Sequence, residues 1–330
     1  MGCSCKFLKK ESRMTMMNEI IEKVEEISKD ESKLELVRKI QQNFRRKSLL
    51  LKLKTGEYFK TEDITDIEIE IPKEELETLF KEYPPLDDGV KIELNKPVKD
   101  YKTRSIYLGE WDFSKKMKHG RGIQYWEDGA KYYGYFIENK ASKKGKLVHK
   151  DGSIYIGSWE NDKPNGYGKY ICTDGTIYEG EWKEDKQHGK GKEIWPDGAW
   201  YEGDYFNGEK HGKGKFYWAD GSTYEGEFSH NNINGTGYYV FGDKRTYNGT
   251  WANNKLDGKG VFTWPDGKRY EGGYKNDKRE GFGTFYWSDG KIYKGNFKDG
   301  KQNGEGEYFD PRDNVWRRGN WFNGKKVDWL

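Results

Sequence analysis

A tyrosine-glycine pattern that returns every 23 residues restricts this chain to architectures built by stacking one supersecondary unit. The unit Y-x-G-x-(W/F/Y) begins at Tyr107, Tyr132, Tyr155, Tyr178, Tyr201, Tyr224, Tyr247, Tyr270 and Tyr293, with a step of 25 once and 23 thereafter. A degenerate tenth copy has Arg317 in the tyrosine slot and keeps Gly319 and Trp321. A second signature, G-x-G, follows in most units, as at Gly189 and Gly191, Gly212 and Gly214, and Gly235 and Gly237; the second unit breaks it with Lys143 before Gly145.

Within a unit the spacing is two. Tyr201, Gly203 and Tyr205 alternate with Glu202 and Asp204, and Gly212, Gly214, Phe216 and Trp218 do likewise, which is the side-chain alternation of a strand. Each unit is therefore expected to be a β-hairpin. One face carries rings and glycines, such as Tyr178, Gly180, Trp182, Tyr224 and Gly226, and the other carries charges. Units tend to close on Asp-Gly, as at Asp197-Gly198 and Asp220-Gly221, a pair that tolerates positive φ at consecutive positions and marks tight turns. Glycine weakens a strand unless something approaches the backbone closely, so the bare positions are expected to receive rings from neighbouring hairpins. Aliphatic side chains are too few for a thick core: hydrophobic residues make up 33% of the chain, against 16% aromatics and 42 glycines. Hairpins this small must stack to be stable, and nine of them at about 9.5 Å each make a twisted ribbon on the order of 85 Å long. Trp316, Trp321, Trp329 and Leu330 are expected to close one end, and the acidic segment before Tyr101 the other.

Residues 178–198, YEGEWKEDKQHGKGKEIWPDG, are very similar to a MORN repeat. The resemblance extends over residues 101–330 and implies a mainly β fold, an elongated twisted single-layer antiparallel sheet of stacked hairpins. It also implies a non-catalytic docking surface for protein partners. MORN proteins include radial-spoke components of cilia, junctional membrane proteins and cytoskeletal scaffolds, and phosphoinositide binding is often proposed for them. Fold alone does not select among these tasks.

The first hundred residues divide three ways. Residues 1–14 begin Met1-Gly2-Cys3-Ser4-Cys5-Lys6, which resembles a dually acylated start, with myristate on Gly2 and palmitate on Cys3 and Cys5. Lys6 departs from the motif, standing where Ser or Thr is preferred. One acyl chain anchors marginally, and Lys6, Lys9, Lys10 and Arg13 add attraction to an anionic leaflet; the bland reading is an unmodified start with two idle thiols. Residues 15–54 read as a helical arm containing Ile40, Gln41, Phe44, Arg45 and Arg46, similar to the first half of an IQ motif. That similarity implies calmodulin or a centrin-like EF-hand protein as partner, while membrane contact or a plain solvated helix fits the same basic pattern. Residues 55–100 hold 6 Lys/Arg against 14 Asp/Glu and read as an acidic linker or cap, with a strand around Ile64 to Ile71 and a short helix from Pro72 to Tyr83.

No catalytic constellation emerges. The G-x-G pairs precede strands and not helices, so no helix N-terminus is there to hold a phosphate. His119, His188 and His211 share one slot in their units and are expected to be exposed turn residues without a common metal; no cofactor or metal is expected. With a net charge of +3 the chain has no field that would draw nucleic acid, and no apolar run is long enough to span a bilayer. The leading expectation is a non-catalytic scaffold tethered to the cytoplasmic face of a membrane. The alternatives are a ciliary or cortical cytoskeletal component that binds an EF-hand light chain, and a phosphoinositide-binding module.

Overall fold

The computed structural model describes residues 73–330 other than Lys96, so the expectations for the acylated start, the IQ-like arm and the strand near Ile64 lie outside the described residues. One helix, α1 (Lys73–Glu82), is followed by twenty-two strands from β1 (Glu93–Leu94) and β2 (Val98–Asp100) to β22 (Lys325–Trp329). Strands β3 (Ser105–Asp112) to β22 pair antiparallel in chain order, each with the next, and β1 and β2 share the outer edge of β3. The result is one open single-layer sheet. Nineteen steps of about 4.8 Å give a path across it on the order of 90 Å.

The register explains the glycines. From Gly109 on β3 to Gly319 on β21 (Val315–Phe322), a glycine of each strand pairs with a glycine of the next, as in Gly180↔Gly191, Gly191↔Gly203 and Gly203↔Gly214. Across this row lie the repeat tyrosines. The Tyr178 ring covers Gly180 and Gly191, where any added Cβ would overlap it, and its hydroxyl donates to the Glu181 carbonyl at 2.9 Å. All nine repeat tyrosines make the same bond three residues on, from Tyr107 at 2.6 Å to Tyr293 at 3.1 Å. The ring over each glycine pair thus comes from the same hairpin, not a neighbouring one. The neighbour supplies the next layer: Tyr178 meets Trp182 edge-on at 5.2 Å and Tyr205 of the following unit at 5.1 Å. This herringbone repeats along the sheet and is the core of a sheet whose ring face no other layer covers among the described residues.

The two glycines of G-x-G do different work. The second belongs to the ring-covered row; the first sits at a β-bulge with positive φ, 60° at Gly189 and 67° at Gly212. Lys143 takes the same conformation at φ 60°, so the second unit keeps the bulge without the glycine. The bulge frees an N–H after it, and the acid three residues beyond the repeat tyrosine accepts that bond: Glu181 from Lys190 at 3.0 Å, Asp204 from Lys213 at 2.9 Å and Glu227 from Thr236 at 2.7 Å.

Asp299-Gly300 forms a tight turn, with φ 48° and 83°, but Asp197-Gly198, Asp220-Gly221 and the other unit-closing Asp-Gly pairs do not. Consecutive positive φ values occur at Glu184-Asp185, Asn207-Gly208, His230-Asn231 and Asn253-Asn254, the two-residue turns whose twist suits a hairpin. The unit-closing Asp-Gly lies in a longer loop where only glycine has positive φ, 86° at Gly198, and the aspartate accepts the Ala199 N–H at 2.9 Å. The tight turns also couple units: Asn231 donates its N–H to the Lys210 carbonyl at 3.1 Å while its side chain accepts the Lys210 N–H at 2.9 Å.

The ends differ. Helix α1 lies on the non-ring face against β4 (Met117–Trp126), with Leu79 buried beneath it and Phe80 under the Arg121 guanidinium at 4.3 Å. Arg121 pairs with Glu110 at 2.5 Å and donates to the Tyr83 carbonyl at 3.1 Å; Tyr125 and Tyr133 donate to Glu75 at 2.7 and 3.2 Å. At the other end only Trp321 is buried. Trp316, Trp329 and Leu330 are exposed, because nothing among the described residues pairs with the outer edge of β22.

Candidate docking surface

The face opposite the rings is open beyond α1. Its floor is the glycine row, from which no side chain rises, and on either side stand rows of charged residues two positions apart along each strand, about 6.8 Å. One rail runs through the ion pairs Lys169–Glu179 at 3.6 Å, Lys192–Glu202 at 2.9 Å and Lys215–Glu225 at 2.7 Å, and the other holds Lys190–Asp204 at 2.5 Å. Together they bound a groove of about 1170 Å³ that spans residues 167 to 248. Exposed cross-strand pairs of this kind contribute only about 0–1 kcal/mol each, so these charges do little to hold the fold. The rails then turn neutral: Tyr238 faces Asn248 and Thr236 faces Thr250.

In unit one the same slots are apolar and covered. Leu108 stands where Glu179 and Glu202 stand later, Ile123 stands where Lys192 stands, and both are buried. That substitution was visible in the sequence once residues were compared slot by slot, and it marks where α1 lies; the unit pattern read as a whole passes over it.

The repeat residues Tyr178, Gly180, Trp182, Gly191, Tyr201, Gly203, Gly214, Tyr224 and Gly226 come together in the ring face and its glycine row, and Gly189 and Gly212 in the bulges. Gly2, Cys3, Cys5, Lys6, Lys9, Lys10, Arg13, Ile40, Gln41, Phe44, Arg45 and Arg46 lie outside the described residues. The histidine slot departs from expectation. His119 is buried, its Nε2 2.7 Å from Asp88 Oδ2, because the segment after α1 folds over the first unit; His188 and His211 are half-buried. No cluster of three or more His, Cys, Asp or Glu that could hold a metal is found among the described residues, and no described helix is long and apolar enough to cross a membrane.

The sheet is built by repetition of one hairpin unit, with rings packed on one face and a charged groove open on the other. The MORN repeat family model matches residues 107–131, 155–177, 178–200, 201–223, 224–244, 247–269, 270–292 and 293–314. The chain belongs to the MORN-repeat family, whose repeats are commonly protein-interaction or membrane-association modules. The unmatched stretch between the first two segments is the unit with Lys143 in the bulge. No curated protein sequence matches the chain. Among solved structures, the TCP10 domain of Danio rerio CPAP in complex with a STIL peptide is 12% identical, with a TM-score of 0.39 over 64% of this chain and 94% of that one. The Drosophila melanogaster SAS-4 TCP domain in complex with a proline-rich motif of Ana2 is 10% identical, with a TM-score of 0.30 over 57% and 93%. Overlap at that level is no guide to what this chain binds.

Proposed function

We propose that this protein is a non-catalytic scaffold, held at the cytoplasmic face of a membrane by acyl groups on Gly2, Cys3 and Cys5, that docks protein partners along its MORN sheet. The observation that carries the docking role is the open groove, a floor free of side chains between rails of charged pairs. The tether is supported by Gly2, Cys3, Cys5 and the adjacent Lys6, Lys9, Lys10 and Arg13, since stable anchoring takes two signals. Its mechanism is colocalisation by multivalent contact.

Membrane fractionation of the wild type against Gly2→Ala and Cys3→Ser/Cys5→Ser, with mass spectrometry of the native N-terminus, tests the tether. Recovery should fall sharply in both variants; unchanged recovery removes the membrane from the proposal and leaves the docking role.

A second reading, an EF-hand light chain bound by the arm of a ciliary or cortical component, rests on Ile40, Gln41, Phe44, Arg45 and Arg46. A gel shift of peptide 34–54 with calmodulin, in calcium and in chelator, tests it. Phosphoinositide binding by the sheet has less support, because the groove lysines Lys169, Lys190, Lys192 and Lys215 already face carboxylates.

A further inference from the structure

On the ring face, one slot faces the second ring of each unit. It holds a cation three times: Lys118 opposite Trp111, Lys210 opposite Tyr205 and Arg279 opposite Tyr274. A charge set among rings needs an answering group, and the three are answered differently. Lys210 pairs with Glu193 at 2.7 Å, both side chains largely buried. Lys118 donates to Gln124 Oε1 at 2.7 Å; burial holds its ammonium below the usual lysine range, and Asp100 and Asp162 oppose that shift.

Arg279 has neither. Its guanidinium lies 5.2 to 5.6 Å from the Tyr270, Phe285 and Phe297 rings, and Nη2 donates to the Gly300 carbonyl at 2.7 Å. In the slot where Glu193 answers Lys210, this unit carries Phe262. The phenols of Tyr270 and Tyr274 act on its charge, and no carboxylate forms an ion pair with Arg279 among the described residues. Beside it opens a cavity of about 240 Å³, walled by Phe285, Trp287 and Phe297, with Lys301 and Gln302 at its rim and no acidic residue in its lining.

We propose that this cavity binds the carboxylate of a glutamate or aspartate in an extended segment of a partner protein, with Arg279 as the planar fork and Lys301 beside it. The repeat supplies the template, since Glu193 and Lys210 make the same kind of ring-enclosed pair within the chain. The cavity has room for one side chain, and a guanidinium fork with free donors matches a carboxylate. A polyphosphorylated lipid headgroup calls for a cluster of cations, and only two line this cavity. The assignment rests on the docking role proposed above and names one chemistry its partners would carry.

The test is fluorescence anisotropy with a labelled 12-residue peptide carrying four glutamates and two phenylalanines, against the same peptide with glutamines. The glutamate peptide should bind at least fivefold more tightly. Arg279→Met should abolish that preference at unchanged melting temperature, and Arg279→Lys, which keeps the charge without the fork, should retain part of it. Equal binding of the two peptides to the wild type overturns the site, whatever the variants do. Displacement of bound peptide by equimolar inositol trisphosphate overturns the acidic-peptide assignment in favour of a phosphate ligand. Either negative result leaves the tether and the groove standing, because neither passes through Arg279.

Discussion

Two glycines in consecutive repeats separate two reasons for the residue. Gly237 has an ordinary φ but lies under the Tyr224 ring, which an added Cβ would overlap; Gly267 has φ 87° in an open loop with nothing within 4 Å of an added Cβ. Gly237→Ala should therefore cost about 3 kcal/mol through overpacking, and Gly267→Ala about 1 kcal/mol through backbone strain alone. Thermal melts of the two variants measure the difference, and equal losses would refute ring packing as the reason for the glycine row. The rings also fix the response to alkali. Burial pushes the phenols of Tyr224, Tyr247, Tyr270 and Tyr293 up to about 12, against an ordinary value near 10. The fold thus favours the neutral phenol. That stabilisation is complete below about pH 10 and is lost as pH rises through about 12. Tyrosinate absorbance followed together with circular dichroism should show ionisation and unfolding in one step; phenols that ionise near pH 10 in an intact sheet would contradict it.

At the scale of elements, hairpins, faces and the approximate limits of the sheet were legible in the sequence because the side-chain period is two and the rings recur in register. The turns were misplaced, since the unit-closing Asp-Gly pairs carry the stronger local signal although Glu184-Asp185 and its equivalents, of which only Asp299-Gly300 is an Asp-Gly pair, take the paired positive φ. The side on which α1 lies was hidden for another reason: it depends on contacts such as Arg121 with Glu110, Phe80 and the Tyr83 carbonyl, which join residues far apart in the chain. Of the candidate surface, the charged face was legible, while the groove and the cavity at Arg279 emerge only when the slots of all units are laid side by side. The Arg121 contacts make a prediction. Arg121→Met leaves Glu110 buried without its partner, at a cost of about 3–5 kcal/mol. Hydrogen exchange should then show α1 losing protection first while β9 (Ile177–Lys183) and β10 (Lys186–Ile194) keep theirs; uniform loss across the sheet would contradict the view of α1 as a local cover.

For the whole molecule, stability is close to a sum over neighbours, because β4 to β22 each pair only with the strands adjacent in sequence. Register is then a property of the 23-residue unit and not of position in the chain. Removing residues 224–246 joins Thr223 to Tyr247, and every contact at the seam has an equivalent waiting. Tyr201 would meet Trp251 in place of Phe228, and Lys210 would receive Asn254 in place of Asn231. The shortened protein should fold and melt cooperatively in a thermal scan, its sheet shorter by about 10 Å, two strand spacings. Removing a single strand instead would put the next strand in the wrong direction and send rings toward the charged rails, so that variant should aggregate or fail to fold. Equal tolerance of the two deletions would mean that something other than the ring ladder carries the sheet.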